Sequence, residues 1–325
     1  MAPWHQDFFQ NPVFKVIYTF HMPLFVFISG YLAAASLSRH SVQDVFQSRC
    51  RSLLIPFVSL SLLGILAAYA LNMLFSNIGG RVDFLGACVR QLFLNPTVWF
   101  LFTLFALSCL LIVSVRWEKR FGPIIFLLIY LLLMIIPYNN YCALCYIKWF
   151  YLFYLAGYFF NKCSIKVPAA AVKTMIFLVS FLLFSLLVIH WHKSDYIYIN
   201  RMDFTSEHYF YGLLRTIYRY IPGFLGIIIA FYVAGGLLKT PIASFLGIIG
   251  MYSLDIYIIQ MFVLEGVYPR WIQKAGIHLD LHSPYVLYMV APFLAMFFVG
   301  TCMLISKLAI RRVPLLNKLL LGGRG

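Results

Sequence analysis

Charge is scarce in this sequence. Asp, Glu, Lys and Arg make up 11% of its 325 residues, against about 25% in ordinary soluble domains. Hydrophobic residues reach 63%, more apolar surface than a water-soluble core absorbs. The apolar blocks have few Gly/Pro clusters and no alternating period, which excludes the strands of a membrane barrel. The seven cysteines are scattered and odd in number, which excludes a disulfide framework. Cys142 and Cys145 form the one close pair, CALC, and either bridge or remain two unpaired loop thiols; no further ligands stand near enough for a metal site. No glycine-rich phosphate loop, zinc-type His/Cys spacing or Gly-x-Ser-x-Gly elbow is present, so ATPase and hydrolase readings have no support. The longest polar gap, 191–214, is too short for a soluble domain.

Nine apolar segments are present, at approximately 14–37, 52–77, 97–115, 121–137, 145–161, 169–191, 215–238, 242–264 and 285–306. Their lengths match the hydrocarbon core of a bilayer. The fold class is therefore all-α, a polytopic membrane helix bundle of about nine spans that forms a single domain over 1–325. The stretch Val82 to Leu94 is too short and too charged to span and is expected at the interface. A net charge of +15 would suggest nucleic acid in a soluble protein; here it reflects the bias of Lys and Arg toward cytoplasmic loops, and no nucleic-acid partner is expected. Fifteen basic residues, among them Arg39, Arg116, Lys119, Arg120, Lys162, Arg311 and Arg312, fall in one set of alternate gaps, and six in the other. That bias places the C-terminus in the cytoplasm, in a cell membrane of the bacterial inner or plasma-membrane type. With nine spans the N-terminus would then lie outside. The opening MAPWHQDFFQNPVF reads like a connecting loop, so a further helix is expected before Met1.

Phe20 to Tyr31, FHMPLFVFISGY, carries a histidine, a proline and a Ser-Gly pair where lipid-facing sequence would carry Leu or Val. An intramembrane His needs a partner, a watery cavity or a task. His21, Phe25 and Ser29 fall near one helical face. Pro23 is expected to kink the helix, and Ser29-Gly30 permits close approach of a neighbour. His21 reads either as a packing histidine or as a site residue. Arg49 and Arg51, before the second apolar segment, suit lipid headgroups or the phosphates of a cytoplasmic ligand. Asp255, with Tyr257 and Gln260 nearby, is expensive in a span and must be neutral, paired or facing water. Arg215 and Arg219, one turn apart, suit an anionic acceptor or acidic loop residues such as Asp203 and Glu207. The aromatic, charged run HWHKSDYIYINRMDFTSEHYFYG, from His190 to Gly212, suits a structured loop lining a site.

These blocks together resemble a known family. FHMPLFVFISGY, RCRSLLIPF at Arg49 to Phe57, WFLFTLF at Trp99 to Phe105, FYLAGYFF at Phe153 to Phe160 and IGMYSLDIYIIQ at Ile249 to Gln260 resemble the acyltransferase-3 family of membrane proteins, in its fucose 4-O-acetylase-like branch. The resemblance covers nearly the whole chain. It implies a bundle of about ten helices in a complete member, and transfer of an acyl group, usually acetyl, from acyl-CoA to a sugar hydroxyl of a cell-surface or exported polysaccharide. Acetyl-CoA would be a co-substrate, with no bound cofactor and no metal; the partners would be the acyl-CoA donor, a glycan or lipid-linked sugar acceptor, and the bilayer. His21 is then the catalytic-site candidate, in a role supporting a histidine that the family carries on a preceding helix. Arg49 and Arg51 would bind acyl-CoA, although Ser52 stands where a second arginine of the family pattern is expected. Ser29, Trp99, Arg215, Arg219, Asp255, Tyr257 and Gln260 form an acceptor or structural polar set. Two other readings stay open, a transporter or flippase for a glycan or lipid-linked sugar, and an inactive truncated remnant.

Overall fold

The apolar blocks fold as helices, because in hydrocarbon a helix is the single-segment structure that satisfies its own backbone N–H and C=O groups. The computed structural model describes residues 9, 11–75, 84–94, 96, 98–136, 141–164, 169–199, 209–261, 283 and 285–323, and its regular elements there are all helical. The helices are α1 (Pro12–Arg39), α2 (Val42–Arg49), α3 (Ile55–Phe75), α4 (Phe84–Val89), α5 (Trp99–Phe121), α6 (Ile124–Ile135), α7 (Leu144–Lys162), α8 (Ala170–Ile189), α9 (Tyr209–Leu237), α10 (Ile242–Met251), α11 (Ser253–Gln260), α12 (Ala291–Ile305) and α13 (Pro314–Leu321). Among the described residues six helical stretches are long and apolar enough to cross a membrane, or seven if α10 and α11, bent by 56°, make one span. The sequence expectation of nine meets two departures. Helix α6 has 12 residues, short of the roughly 20 that a span needs. Helix α7 has 19, but Lys148, Asn161 and its tyrosines dilute its apolar character.

Helix starts and stops follow local chemistry. Asn11 caps α1, its Oδ1 accepting from Val13 N at 2.9 Å and Phe14 N at 3.3 Å, with Pro12 in the first turn where a missing N–H costs nothing. Gly122, with φ of +67°, closes α5 in the left-handed conformation that favours glycine. Two π-helical turns, Cys50–Leu54 and Val286–Val290, each lead into a proline at the next helix start, Pro56 and Pro292. A proline cannot donate to the carbonyl four residues back and crowds it; widening the preceding turn relieves that contact. Thus α2, the first π turn and α3 run on without a break, and Arg49 and Arg51 lie within helix.

The chain divides into two compact units, residues 1–47 with 103–243, and 48–102 with 244–325. In the first, α7 is the central helix, buried on most of its circumference from Cys145 to Tyr158. Its tyrosine hydroxyls tie outward: Tyr154 to Ser108 Oγ at 3.0 Å and Tyr151 to Ser114 Oγ at 3.4 Å, both on α5. Lys148 is fully buried, and its ammonium donates to the Ile136 carbonyl at the end of α6, where the helix dipole favours a cation.

Helix α1 lies against α7 at backbone distance. A Cβ on Gly30 would stand 2.0 Å from the Tyr154 carbonyl oxygen, and one on Gly157 would stand 1.9 Å from that of Phe27. The close approach expected at Ser29-Gly30 is therefore present, and a second glycine reciprocates it. On α9, Gly226 receives the Phe20 ring, and Gly223 faces Phe153 and Pro23. Pro23 is buried inside an uninterrupted α1; the expected kink does not break the helix. Ring contacts of Trp149 with Tyr220 and Phe153 with Phe224 set α7 and α9 running the same way. Bonds from Tyr218 to the Leu187 carbonyl and between Thr174 and Tyr232 set α8 antiparallel to α9.

In the second unit a core that includes Phe57, Leu60, Leu101, Ile258 and Cys302 gathers α3, the first turn of α5, α11 and α12. Helix α13 ends at Gly322, φ +72°, where a Cβ would lie 2.7 Å from the Arg51 carbonyl oxygen. The last helix is thus seated on the first π turn.

Candidate functional site

His21 lies in the third turn of α1, half-buried. Its Nδ1 is 2.9 Å from the Ile17 carbonyl oxygen. A carbonyl only accepts, so Nδ1 carries the proton and Nε2 keeps its lone pair. Among the described residues Nε2 makes no hydrogen bond. Tyr18 packs edge-on to the imidazole, ring centroids 4.6 Å apart, and fixes its plane. Ser29, two turns on, spends its hydroxyl on its own helix, donating to the Phe25 carbonyl at 2.9 Å.

Tyr18 leads to an aromatic cluster at the end of the first unit where α1 begins and α8 ends. Phe9, Phe14, Trp191 and Tyr196 form its buried part, with Tyr198 and Tyr218 against it. Burial, reinforced by the Asp195 carboxylate and partly offset by Trp191, holds the Tyr196 phenol well above its ordinary pKa. Burial does the same to Tyr198. Both therefore stay neutral phenols throughout the physiological range, and among the described residues neither buried hydroxyl has a hydrogen-bond partner.

Arg215 and Arg219 anchor this end. The Arg215 Nε pairs with Asp195 Oδ1 at 3.2 Å, and its terminal nitrogen donates to Ser194 Oγ at 3.0 Å and Tyr211 OH at 2.8 Å. Arg219, buried, donates to the Ser194 carbonyl at 2.8 Å. Asp195 Oδ2 also accepts from the His192 backbone N–H at 2.8 Å. The arginine pair thus meets an acidic loop residue, but the residue is Asp195; Asp203 and Glu207 lie outside the described residues. Beside this loop opens a cavity of about 640 Å³, lined by Phe9, Lys15, Trp191, His192, Lys193, Ser194 and Ile199.

The remaining sequence candidates belong to the second unit. Asp255 is buried and paired: Arg311 Nε stands 2.9 Å from its Oδ2, and Ser306 donates to the same oxygen. Arg311 also reaches the Met251 carbonyl at 3.3 Å and covers the Tyr252 ring at 4.3 Å. Asp255 is therefore a tie between α11 and the turn after α12. Trp99 opens α5 beside Phe100, whose ring lies 5.9 Å from that of Tyr257, while Gln260 is exposed at the end of α11. Arg49 is half-buried and Arg51 exposed; among the described residues neither guanidinium makes an ion pair. Cys142 and Cys145 are both free thiols, and among the described residues no group of His, Cys, Asp and Glu could hold a metal ion.

Sequence reading singled out the loop after α8 but not Lys15, Lys193 or Asp195, which are ordinary residues until the fold gathers them. Arg311 figured only in the charge count, because its partner is 56 residues away.

The described residues are helical throughout their regular elements, with six or seven potential spans, an oriented histidine on the first of them and, within one continuous helix, two arginines that make no ion pair among the described residues; these are the features of a polytopic membrane protein. A family model described as an acyltransferase domain matches residues 2–312, and the chain belongs to that family, the membrane acyltransferases of acyltransferase-3 type. It is similar to the nodulation protein NolL of Sinorhizobium fredii, 31% identical over 207 residues, which cover 60% of this chain and 52% of that protein. It is also similar to the nodulation protein NolL of Mesorhizobium japonicum, 45% identical over 51 residues, 16% of this chain and 14% of that one. The chain thus spans about half, or less, of the length of the curated relatives it matches. No solved structure matches it.

Proposed function

We propose that this chain is an O-acyltransferase that moves an acyl group, most simply acetyl, from acyl-CoA to a sugar hydroxyl of a cell-surface or exported polysaccharide, as in the fucose 4-O-acetylase-like branch. The observation that carries the reading is His21, whose Nδ1–H is committed to Ile17 and whose Nε2 is left as an oriented acceptor. Here His21 takes the part of the base itself, where the resemblance implied a supporting role: the sugar oxygen bonds to the thioester carbonyl carbon as Nε2 takes the hydroxyl proton. The C–S bond then breaks and the proton passes to the leaving CoA thiolate. Arg49 and Arg51 supply cations for the CoA phosphates, to which guanidinium groups are matched in geometry. The acyl-CoA donor, the glycan or lipid-linked sugar acceptor and the bilayer are the partners this requires. The basic-residue bias supports a cytoplasmic C-terminus and donor binding on that side.

The test is transfer of labelled acetyl from acetyl-CoA to glycan acceptors in membranes carrying the chain. His21→Ala should slow transfer about 10²- to 10⁴-fold. Arg49→Ala should weaken acetyl-CoA binding about tenfold or more, as expected for one hydrogen bond to a charged group. Equal incorporation by wild type and both variants would remove the site assignment, and sugar flux across vesicles without acetyl-CoA would replace transfer by transport.

A further inference from the structure

We infer that the cavity between the start of α1 and the end of α8 is a subsite for an anionic sugar, one bearing a carboxylate or phosphate. The inference rests on the transferase reading for its role and names the class of acceptor. The first observation is charge. Lys15, His192 and Lys193 line the cavity, and no carboxylate lines it among the described residues. The nearby acid, Asp195, is already committed, Oδ1 to Arg215 and Oδ2 to the His192 N–H. Among the described residues the lysines therefore meet no answering carboxylate, and the N-terminal dipole of α1, a helix of 28 residues, adds to their positive charge at Lys15.

The second observation is shape and wall chemistry. A volume of about 640 Å³ falls within the roughly 300–1,000 Å³ of small-ligand pockets. Phe9 and Trp191 supply aromatic walls, both largely buried, against which the apolar face of a sugar ring packs. The Lys193 ammonium is 5.1 Å from the Phe9 ring centroid, so charge and aromatic surface are adjacent, as a ring carrying an acid group requires. Ser194 is held from both sides, its hydroxyl by Arg215 and its carbonyl by Arg219, which makes the wall rigid.

The third is position. Helices α1 and α9 start at this end, while the opposite end of α7 carries Lys162, paired with Glu118 at 2.6 Å. Arg116, Lys119, Arg120 and Lys162 belong to the basic set of gaps that the charge bias assigns to the cytoplasm. The cavity thus lies at the end away from the donor side, where an exported acceptor is met.

Binding by the full chain in nanodiscs, measured calorimetrically without acyl-CoA, tests this. The probes are a glucuronate-containing tetrasaccharide, its carboxyl-reduced neutral counterpart, and a short-chain polyprenyl phosphate without sugar. The acidic sugar should bind about tenfold tighter than the neutral one at low salt, a preference that added salt erodes. Lys15→Gln and Lys193→Gln should each weaken acidic-sugar binding roughly 3- to 5-fold, the scale of partly exposed ion pairs. The double variant should bind both sugars alike, with an unfolding temperature in nanodiscs matching that of wild type as the check on folding. Equal affinity of wild type for both sugars, a preference that survives in the double variant, or polyprenyl phosphate displacing the acidic sugar would overturn the inference. Acidic-sugar binding without any acetyl transfer would sustain the subsite and count against the transferase reading. Transfer to acidic and neutral glycans at one rate would do the reverse.

Discussion

A carboxylate with 2% of its side chain exposed persists in an apolar core only when its charge is answered, and Asp255 is answered by Arg311 and Ser306. Sequence reading identified Asp255 as anomalous and left it neutral, paired or facing water, and the structure shows it paired; a partner was one of those three outcomes. The sequence did not name that partner, because pairing across 56 positions is decided by which helices become neighbours. Replacing Arg311 by Gln should cost about 3 kcal/mol of unfolding free energy in detergent, the lower part of the range for breaking a buried pair, since Arg311 keeps 20% of its side-chain exposure. In the double variant with Asp255→Asn the losses should fall short of the sum of the singles by more than about 0.5 kcal/mol. Strict additivity would show that the two do not interact. His21 is a different case at the same scale. Its oddity was legible in FHMPLFVFISGY, and so was its helix; the bond that selects its tautomer follows from helical geometry alone, because Ile17 is four residues back.

At the scale of elements, apolar runs were legible as helices; their ends, where Asn11 and Pro12 open α1 and Gly122 closes α5, follow local chemistry that the sequence reading had not singled out. The π turns before Pro56 and Pro292 were not anticipated, since a proline says only that the ladder is interrupted and the surrounding packing selects how. The crossing of α1 and α7 was half legible: Ser29-Gly30 announced a close approach, but nothing local named Gly157 as its counterpart. Gly30→Ala or Gly157→Ala places a methyl about 2 Å from a carbonyl oxygen and should cost about 3 kcal/mol, the upper part of the usual overpacking range, because backbone yields less than a side-chain tip. Gly235→Ala, with open space around it on α9, should be neutral or stabilising by up to about 1 kcal/mol through helix propensity. Thermal unfolding of the three variants side by side checks the crossing; similar melting temperatures for all of them would mean that the two backbones do not touch.

For the whole molecule the question is which helices cross the bilayer. Helix α7 is not strongly apolar, yet its 19 residues reach about 28 Å at 1.5 Å each, close to the hydrocarbon thickness. Its polar groups are buried against α5, α6 and α9 rather than offered to lipid, so it should span. Variants retaining only Cys142, before α7, or only Cys163, after it, should react with an impermeant maleimide from opposite faces of sealed vesicles. Labelling of both from one face would remove α7 from the set of spans and alter the orientation of everything that follows.

Composition and apolar length by themselves determined that this protein is a helical membrane bundle and where its long apolar helices lie, because hydrocarbon leaves a backbone few choices and apolar length is read directly from residues; the family came from the resemblance of its motifs, not from composition. Tertiary structure alone decided who meets whom: Asp195 with Arg215, Asp255 with Arg311, Gly30 with Tyr154, and Lys15 and Lys193 around one cavity. Those contacts join residues far apart in the chain, and their energies exist only once packing has excluded water and brought the groups within a few ångströms.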